Sequence, residues 1–207
     1  MNCTRVLIVE DEPLIAADIA GILKRNDFVI SAIVYTQDEA MEELRNRLPD
    51  LALLDINLNG KMEGIAIAET IKRDYNIPFI FITSYSDKNT LDKAKHTEPA
   101  GYVVKPFNDA ALYSTIEIAL FNYAQKDKHK YPPLSLSRIN ARLADPISER
   151  EFTLLELIYE GKTNKQIAET MFISGNTVKK HIFNTYFKLD AESRATAILR
   201  LRQLMQG

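Results

Sequence analysis

A chain of 207 residues, 46% apolar and 26% charged, suits one large globular domain or two small ones and excludes the disordered and fibrous classes. No apolar run approaches the ~20 residues that span a bilayer, and acids follow the short apolar patch of "MNCTRVLIVEDE" too soon for a secretion signal. A soluble cytoplasmic protein is expected, without a membrane partner, and the single Cys3 leaves no internal disulfide framework. The net charge of −2 hides an asymmetry: residues 1–126 hold 13 basic against 19 acidic groups, and residues 127–207 hold 13 against 9. This hints that the C-terminal part meets an anionic partner.

From Arg5 to Tyr123 short apolar runs alternate with longer amphipathic ones. The runs "VLIV" (6–9), "VISAIV" (29–34), "LALL" (51–54), "FIFI" (79–82) and "YVV" (102–104) predict parallel strands buried on both faces. Helical periodicity over 13–25, 37–47, 63–74, 87–95 and 108–124 completes a (βα)5 pattern, hence an α/β sheet with helices on both sides. The rhythm stops near residue 125. "AQKDKHKYPPLSLSRINARLADP", with three prolines and much charge, reads as a linker with a short helical turn in its middle. Beyond it the pattern is purely helical, over 148–160, 164–171, 175–188 and 193–205. Gly161 closes the first of these helices, and "ISGN" (173–176) turns between the second and third.

Chemistry in an open parallel sheet gathers outside the carboxyl ends of the strands. There the first strand ends in Glu10, Asp11 and Glu12, the third in Asp55, the fourth in Thr83 and Ser84, and the fifth in Lys105-Pro106. Crowded carboxylates raise each other's pKa unless a cation sits among them, and oxygen-only ligands favour Mg²⁺. Asp55 can then attack phosphorus, with Lys105 and the Thr83 hydroxyl meeting phosphoryl oxygens. An aspartate at a strand end is more often a cap or turn residue than a nucleophile, but four suitable strand ends seldom coincide.

"VLIVEDEPLIA", "LALLDINLNG", "FITS" and "GYVVKPF" resemble the receiver domain of two-component response regulators over roughly residues 4–122. The resemblance implies a flavodoxin-like fold with sheet order 2-1-3-4-5, phosphorylated by a histidine kinase. Asp55 is then the acceptor, with Asp11 ligating Mg²⁺ directly, Glu10 through water, and Asn57 through its backbone carbonyl. Thr83 is the switch hydroxyl, Tyr102 the aromatic that turns inward on activation, and Lys105 the phosphate-binding lysine. A cis Lys105-Pro106 peptide is also implied. The chain departs from the family in having Glu-Asp where two aspartates are usual, and in "INLNGKMEG", one residue longer before its last glycine than usual. Asn57 and Tyr85 flank the site.

In "GKTNKQIAETMFISGNTVKKHIFNTYFKL" apolar residues stripe two adjoining helices joined by a short Gly-containing turn, the helix-turn-helix plan. Lys179, Lys180, Phe183, Asn184, Phe187 and Lys188 are expected on the outer surface of the second helix, and no acid lies between Ile173 and Lys188. Lysine and asparagine there can reach base edges, while Thr163, Lys165 and Thr177 suit phosphate oxygens. Scattered lysines more commonly mean a solvated face. The segment is similar to the LuxR-type four-helix DNA-binding domain through Glu149–Glu151, Asn164–Ala168, Thr177–His181, Lys188-Leu189 and Arg194. That resemblance implies base contact led by Lys179 and Lys180, and phosphate contact by Thr163, Lys165, Thr177 and Lys188. Phe183 stands where polar or basic residues are common, and His181 reads as a packing residue. "EGKT" (160–163) lacks the strand and upstream glycine of a phosphate loop.

The whole chain is thus identified as a member of the NarL/FixJ type of response regulators: receiver 4–122, linker 123–146 and DNA-binding domain 147–207. Phosphorylation of Asp55 is expected to switch double-stranded DNA binding, with a homodimer as the active form and 193–205 a candidate dimer surface. Two other classes stay open. One is a phosphorylation-independent transcription factor whose receiver is a dimerisation scaffold. The other is an aspartyl-phosphate phosphohydrolase, an enzyme that would need an aspartate where Asn57 stands.

Overall fold

A computed structural model of the protein describes residues 4–84, 88–126 and 133–205. Cys3 and Tyr85 lie outside the described residues. The chain forms two compact units, Arg5–Leu120 and one gathered from Phe121 onward.

In the first unit β1 (Arg5–Val9), β2 (Val29–Val34), β3 (Leu51–Leu54), β4 (Phe79–Thr83) and β5 (Gly101–Val104) make one parallel sheet in the order β2-β1-β3-β4-β5. Helices α1 (Pro13–Arg25), α2 (Gln37–Asn46), α3 (Glu63–Thr70), α4 (Lys88–His96) and α5 (Asp109–Lys126) connect or follow the strands. Pro13 opens α1, where its missing N–H costs nothing. The Thr36 side chain caps α2 by accepting from Glu39 N. Helix α3 does not run straight through the expected 63–74. It continues as a π-type turn over Ile71–Tyr75 and stops where Asn76 adopts φ 48°.

One core beneath the sheet joins Val6 and Ile8 of β1, Leu51 and Leu53 of β3 and Ile80 and Ile82 of β4 with Ile19, Leu23, Leu112 and Ile116 of α1 and α5. Burial on both faces holds for β1, β3 and β4 but not throughout the sheet. Five of the six residues of β2 are only half-buried, and in β5 only Val103 is fully buried. Both are edge strands, each with a single neighbour in the sheet.

Register is what positions the pocket. Val9 pairs with Leu54, so Glu10 and Asp55 emerge side by side, one residue beyond the last pair. Thr83 pairs with Val104, and the next amide, Lys105 N, donates to Thr83 O at 3.0 Å. The Lys105-Pro106 peptide is cis.

The second unit contains α6 (Leu136–Asn140), α7 (Glu149–Tyr159), α8 (Asn164–Met171), α9 (Gly175–Leu189) and α10 (Arg194–Met205). Ile139, Ile147, Leu154, Ile158, Ile167, Val178, Ile182, Leu189 and Leu201 close its core. Part of the stretch read as a linker belongs to this core, because Ile139 is fully buried and Leu134, Leu136 and Leu143 pack against it. Gly161 follows α7, as expected. The turn between α8 and α9 differs in detail: Phe172 takes the left-handed conformation at φ 53°, whereas Gly175 is already the first residue of α9.

Candidate functional site

Lys105 is the centre of the pocket. Its ammonium donates to Asp55 Oδ2 at 2.6 Å and to Glu10 Oε1 at 2.9 Å, with Glu10 Oε2 also within 2.7 Å. All three side chains are at least nine-tenths buried. Burial pushes the Glu10 carboxyl up to about 7, and the Asp55 charge adds to this, while Lys105 works the other way. For Lys105, burial opposes the charge, but the hydrogen bonds to Asp55 and Glu10 outweigh it and raise the pKa above its usual value. Glu10, Asp11 and Asp55 each offer a carboxylate oxygen within 4.8 Å of the others. An all-oxygen donor set of this kind fits a hard divalent cation.

The backbone after β3 is held in place from several sides. Asp55 N donates to Val9 O at 2.9 Å, and Asn57 N donates to Asp55 Oδ1 at 3.0 Å. The lengthened loop is a hairpin: Leu58 and Lys61 exchange both backbone hydrogen bonds at 2.9 Å around Asn59 (φ 50°) and Gly60 (φ 81°). Positive φ at both central positions makes this a type I′ turn, for which Asn-Gly is the preferred pair. Leu58 is fully buried and anchors the hairpin. From its tip, Asn59 N donates to Asp11 Oδ2 at 2.9 Å. Behind the loop, Gly64 sits so close to Asp55 that an added Cβ would fall 1.9 Å from the Asp55 carbonyl oxygen.

Thr83 is fully buried at the end of β4. Tyr102 faces Phe81 across the sheet, their ring centroids 5.4 Å apart. Its hydroxyl is buried with no hydrogen-bond partner among the described residues, and burial raises its pKa.

In the helical unit, α8 and α9 each begin at a hydroxyl cap. The Thr163 hydroxyl accepts from Gln166 N and Gln166 reaches back to Thr163 N, a capping box that leaves Thr163 buried. Ser174 Oγ caps α9 by accepting from Thr177 N, and lies 2.8 Å from Thr177 Oγ1. Lys165, Lys180, Phe183, Asn184 and Phe187 are exposed, while Lys179 and His181 are half-buried. Lys188 turns inward: it donates to Glu151 Oε2 at 3.0 Å and Pro146 O at 2.9 Å. Arg194 is also buried, and donates to the carbonyls of Ile158 and Lys162 at 2.8 and 2.6 Å.

The sequence profile of the response regulator receiver domain matches residues 6–117, and that of the bacterial regulatory proteins of the luxR family matches residues 145–201. The chain belongs to the two-component response regulators of the NarL/FixJ type. This regulator is 31% identical over 197 residues to the DNA-binding transcriptional activator EvgA of Escherichia coli K12, covering 90% of this chain and 92% of that protein. It is 30% identical over 200 residues to the transcriptional regulatory protein LiaR of Bacillus subtilis, covering 93% and 94%. The signal receiver domain of a modulated diguanylate cyclase from Desulfovibrio desulfuricans G20 superposes with a TM-score of 0.57 at 34% identity, over 60% of this chain and 99% of that one.

Two residues of the regulator's pocket carry no role in the sequence reading. Gly64 is legible only once α3 is seen to cross the backbone of Asp55. Asn59 had a usable signal, since an Asn-Gly pair in a short loop predicts a turn with two positive φ angles.

Proposed function

We propose that Asp55 accepts a phosphoryl group from a sensor histidine kinase and thereby switches how the C-terminal unit binds double-stranded DNA. The observation that carries this reading is the Lys105 ammonium held 2.6 Å from Asp55 Oδ2 beside a second buried carboxylate. In the transfer, the phosphorus–nitrogen bond of a phosphohistidine breaks and a phosphorus–oxygen bond to Asp55 forms. Lys105 is within reach of the oxygens of a group bonded there, and the Thr83 hydroxyl would take another. Glu10, Asp11, Asp55 and the Asn57 carbonyl would hold Mg²⁺, which when bound offsets negative charge on the phosphoryl oxygens. Tyr102 would respond as a switch residue, since a buried hydroxyl without a partner gains by reaching a new one.

The domain division carried with this reading is a receiver at 4–122, a linker at 123–146 and a DNA-binding domain at 147–207. Lys179, Lys180, Phe183 and Asn184 would meet bases. Lys165, with Thr163 and Thr177 near the starts of α8 and α9, would meet phosphates, and Lys188 would steady α9 from behind. The protein would act in the cytoplasm, as a homodimer when active, and not as an enzyme in its own right. Among the described residues no helix is long and apolar enough to cross a membrane.

The test is to incubate the protein with Mg²⁺ and a small acyl phosphate, locate the phosphorylated residue by mass, and measure DNA affinity at fixed salt. Labelling at Asp55 that strengthens DNA binding is expected. Labelling that persists in Asp55→Asn would move the acceptor elsewhere, and labelling at Asp55 without any effect on DNA or oligomeric state would leave the receiver a scaffold.

A further inference from the structure

The outer face of α9 carries more apolar surface than contact with phosphates or guanine requires. Asn176, Lys180, Phe183, Asn184 and Phe187 recur at helical spacing, opposite the buried row of Val178, Ile182, Tyr186 and Leu189. Phe183 is 54% exposed and Phe187 is 80% exposed. They stand one turn apart, about 6 Å along the helix axis. Apolar rings held in water on a stripe of polar residues mark a contact surface.

The surroundings select the occupant. No acid lies between Ile173 and Leu189, Lys180 stands exposed on the same face as the two rings, and this helix is the second of the helix-turn-helix. Such an acid-free face with an exposed lysine suits an anionic partner that admits a helix and offers small apolar groups at its bottom. A duplex major groove meets all three needs through the thymine C5-methyl group.

We propose that Phe183 and Phe187 read thymine methyl groups, so that the target half-site carries thymines about two base pairs apart where a basic side chain would select guanine. The inference rests on the DNA-binding reading above and adds the bases recognised. Asn184, exposed beside both rings, has the amide suited to adenine N6 and N7 and so favours the same A·T pairs.

The experiment enriches random duplexes on the full-length protein, phosphorylated and unphosphorylated, and then replaces each thymine of the selected site by uracil. Uracil removes the methyl and leaves every hydrogen-bonding edge unchanged, so this arm needs no protein variant. Two thymine positions are expected to lose about 4-fold in affinity each on losing their methyl. Phe183→Ala should abolish the thymine–uracil difference at one position, and Phe187→Ala at the other. Both rings are exposed, so circular dichroism should show the fold retained.

A selected site indifferent to every uracil replacement would overturn the proposal and leave DNA binding standing. So would variants that keep the difference but turn a dimer into a monomer in sedimentation, which would assign the rings to a protein interface. Failure to enrich any duplex in either state would remove the DNA-binding reading itself, and the proposal with it.

Discussion

Lys105 donates to Asp55 across a separation of fifty residues, and the same ammonium binds Glu10 ninety-five residues away. Three buried ionisable groups therefore share one hydrogen-bonded cluster. Removing one partner of a buried pair leaves the other uncompensated, at a cost of about 3 kcal/mol or more. Lys105→Met is expected to lower the stability of the β1 and β3 amides in native-state hydrogen exchange by that amount. Mg²⁺ should restore part of it, because a divalent cation replaces the lost charge. Exchange in Lys105→Met that matches the unaltered protein would mean that the carboxylates are satisfied some other way.

Glu10 sets a pH dependence of unusual sign. Its folded pKa is raised from 4.5 to about 7, chiefly by burial. Between those values the folded protein holds a proton that the unfolded chain has released, so stability falls as pH rises through the window and is level above it. Without divalent metal, denaturation at pH 5 and at pH 8 should differ by on the order of 3 kcal/mol in favour of the acid side. Glu10→Gln should flatten that difference, and so should saturating Mg²⁺, which favours the ionised form. A slope that survives Glu10→Gln would trace the effect to another group.

Gly64 is required by the path of Asp55 rather than by its own conformation. A Cβ there would lie 1.9 Å from the Asp55 carbonyl oxygen and 2.8 Å from the Ile56 Cα, both backbone atoms that cannot swing aside. Gly64→Ala should therefore push the start of α3 away from the pocket and destabilise the unit by about 2 kcal/mol. A displacement near 1 Å at the acceptor should slow phosphorylation by the acyl phosphate about 100-fold. An alanine variant phosphorylated at the normal rate would show that α3 can shift without moving Asp55.

What the sequence revealed and what it hid divide along physical lines. The strands of the sheet announced themselves because short, nearly continuous apolar runs such as "VLIV" and "FIFI" have few other homes. Asp55, Glu10, Thr83 and Lys105 are legible as strand-end residues because each directly follows or ends such a run. The half-burial of β2 was not visible, because "VISAIV" reads alike on an edge or in the middle. The hairpin at Asn59-Gly60 was signalled by its dipeptide but masked by the usual pattern of the loop. The inward turn of Lys188 was hidden for a different reason: it depends on Glu151 and Pro146, which only folding brings beside it. The Leu136–Asn140 helix was expected only as a turn in a linker, since five residues are too few for periodicity to reveal that Ile139 is a core residue.

Lys180 and Lys188, on the same helix, should respond to substitution in opposite ways. Lys180 is exposed on the outer face of α9, whereas Lys188 is 18% exposed and donates to Glu151 and to the Pro146 carbonyl. The Glu151 carboxyl pays for burial but is held below its usual pKa by hydrogen bonds from Ser148 and Lys188. A lysine on phosphate releases a counterion on binding, so its loss reduces the slope of log affinity against log salt by about 1. Lys180→Ala is expected to reduce the slope in this way and leave the thermal stability of the helical unit unchanged. Lys188→Ala should leave the slope unchanged and destabilise that unit by about 1–2 kcal/mol, because two hydrogen bonds and a buried ion pair are lost. Binding titrations at four or five salt concentrations, with each variant's unfolding followed in parallel, separate the two. A salt slope reduced by Lys188→Ala would place its ammonium on the duplex in the complex, released from Glu151.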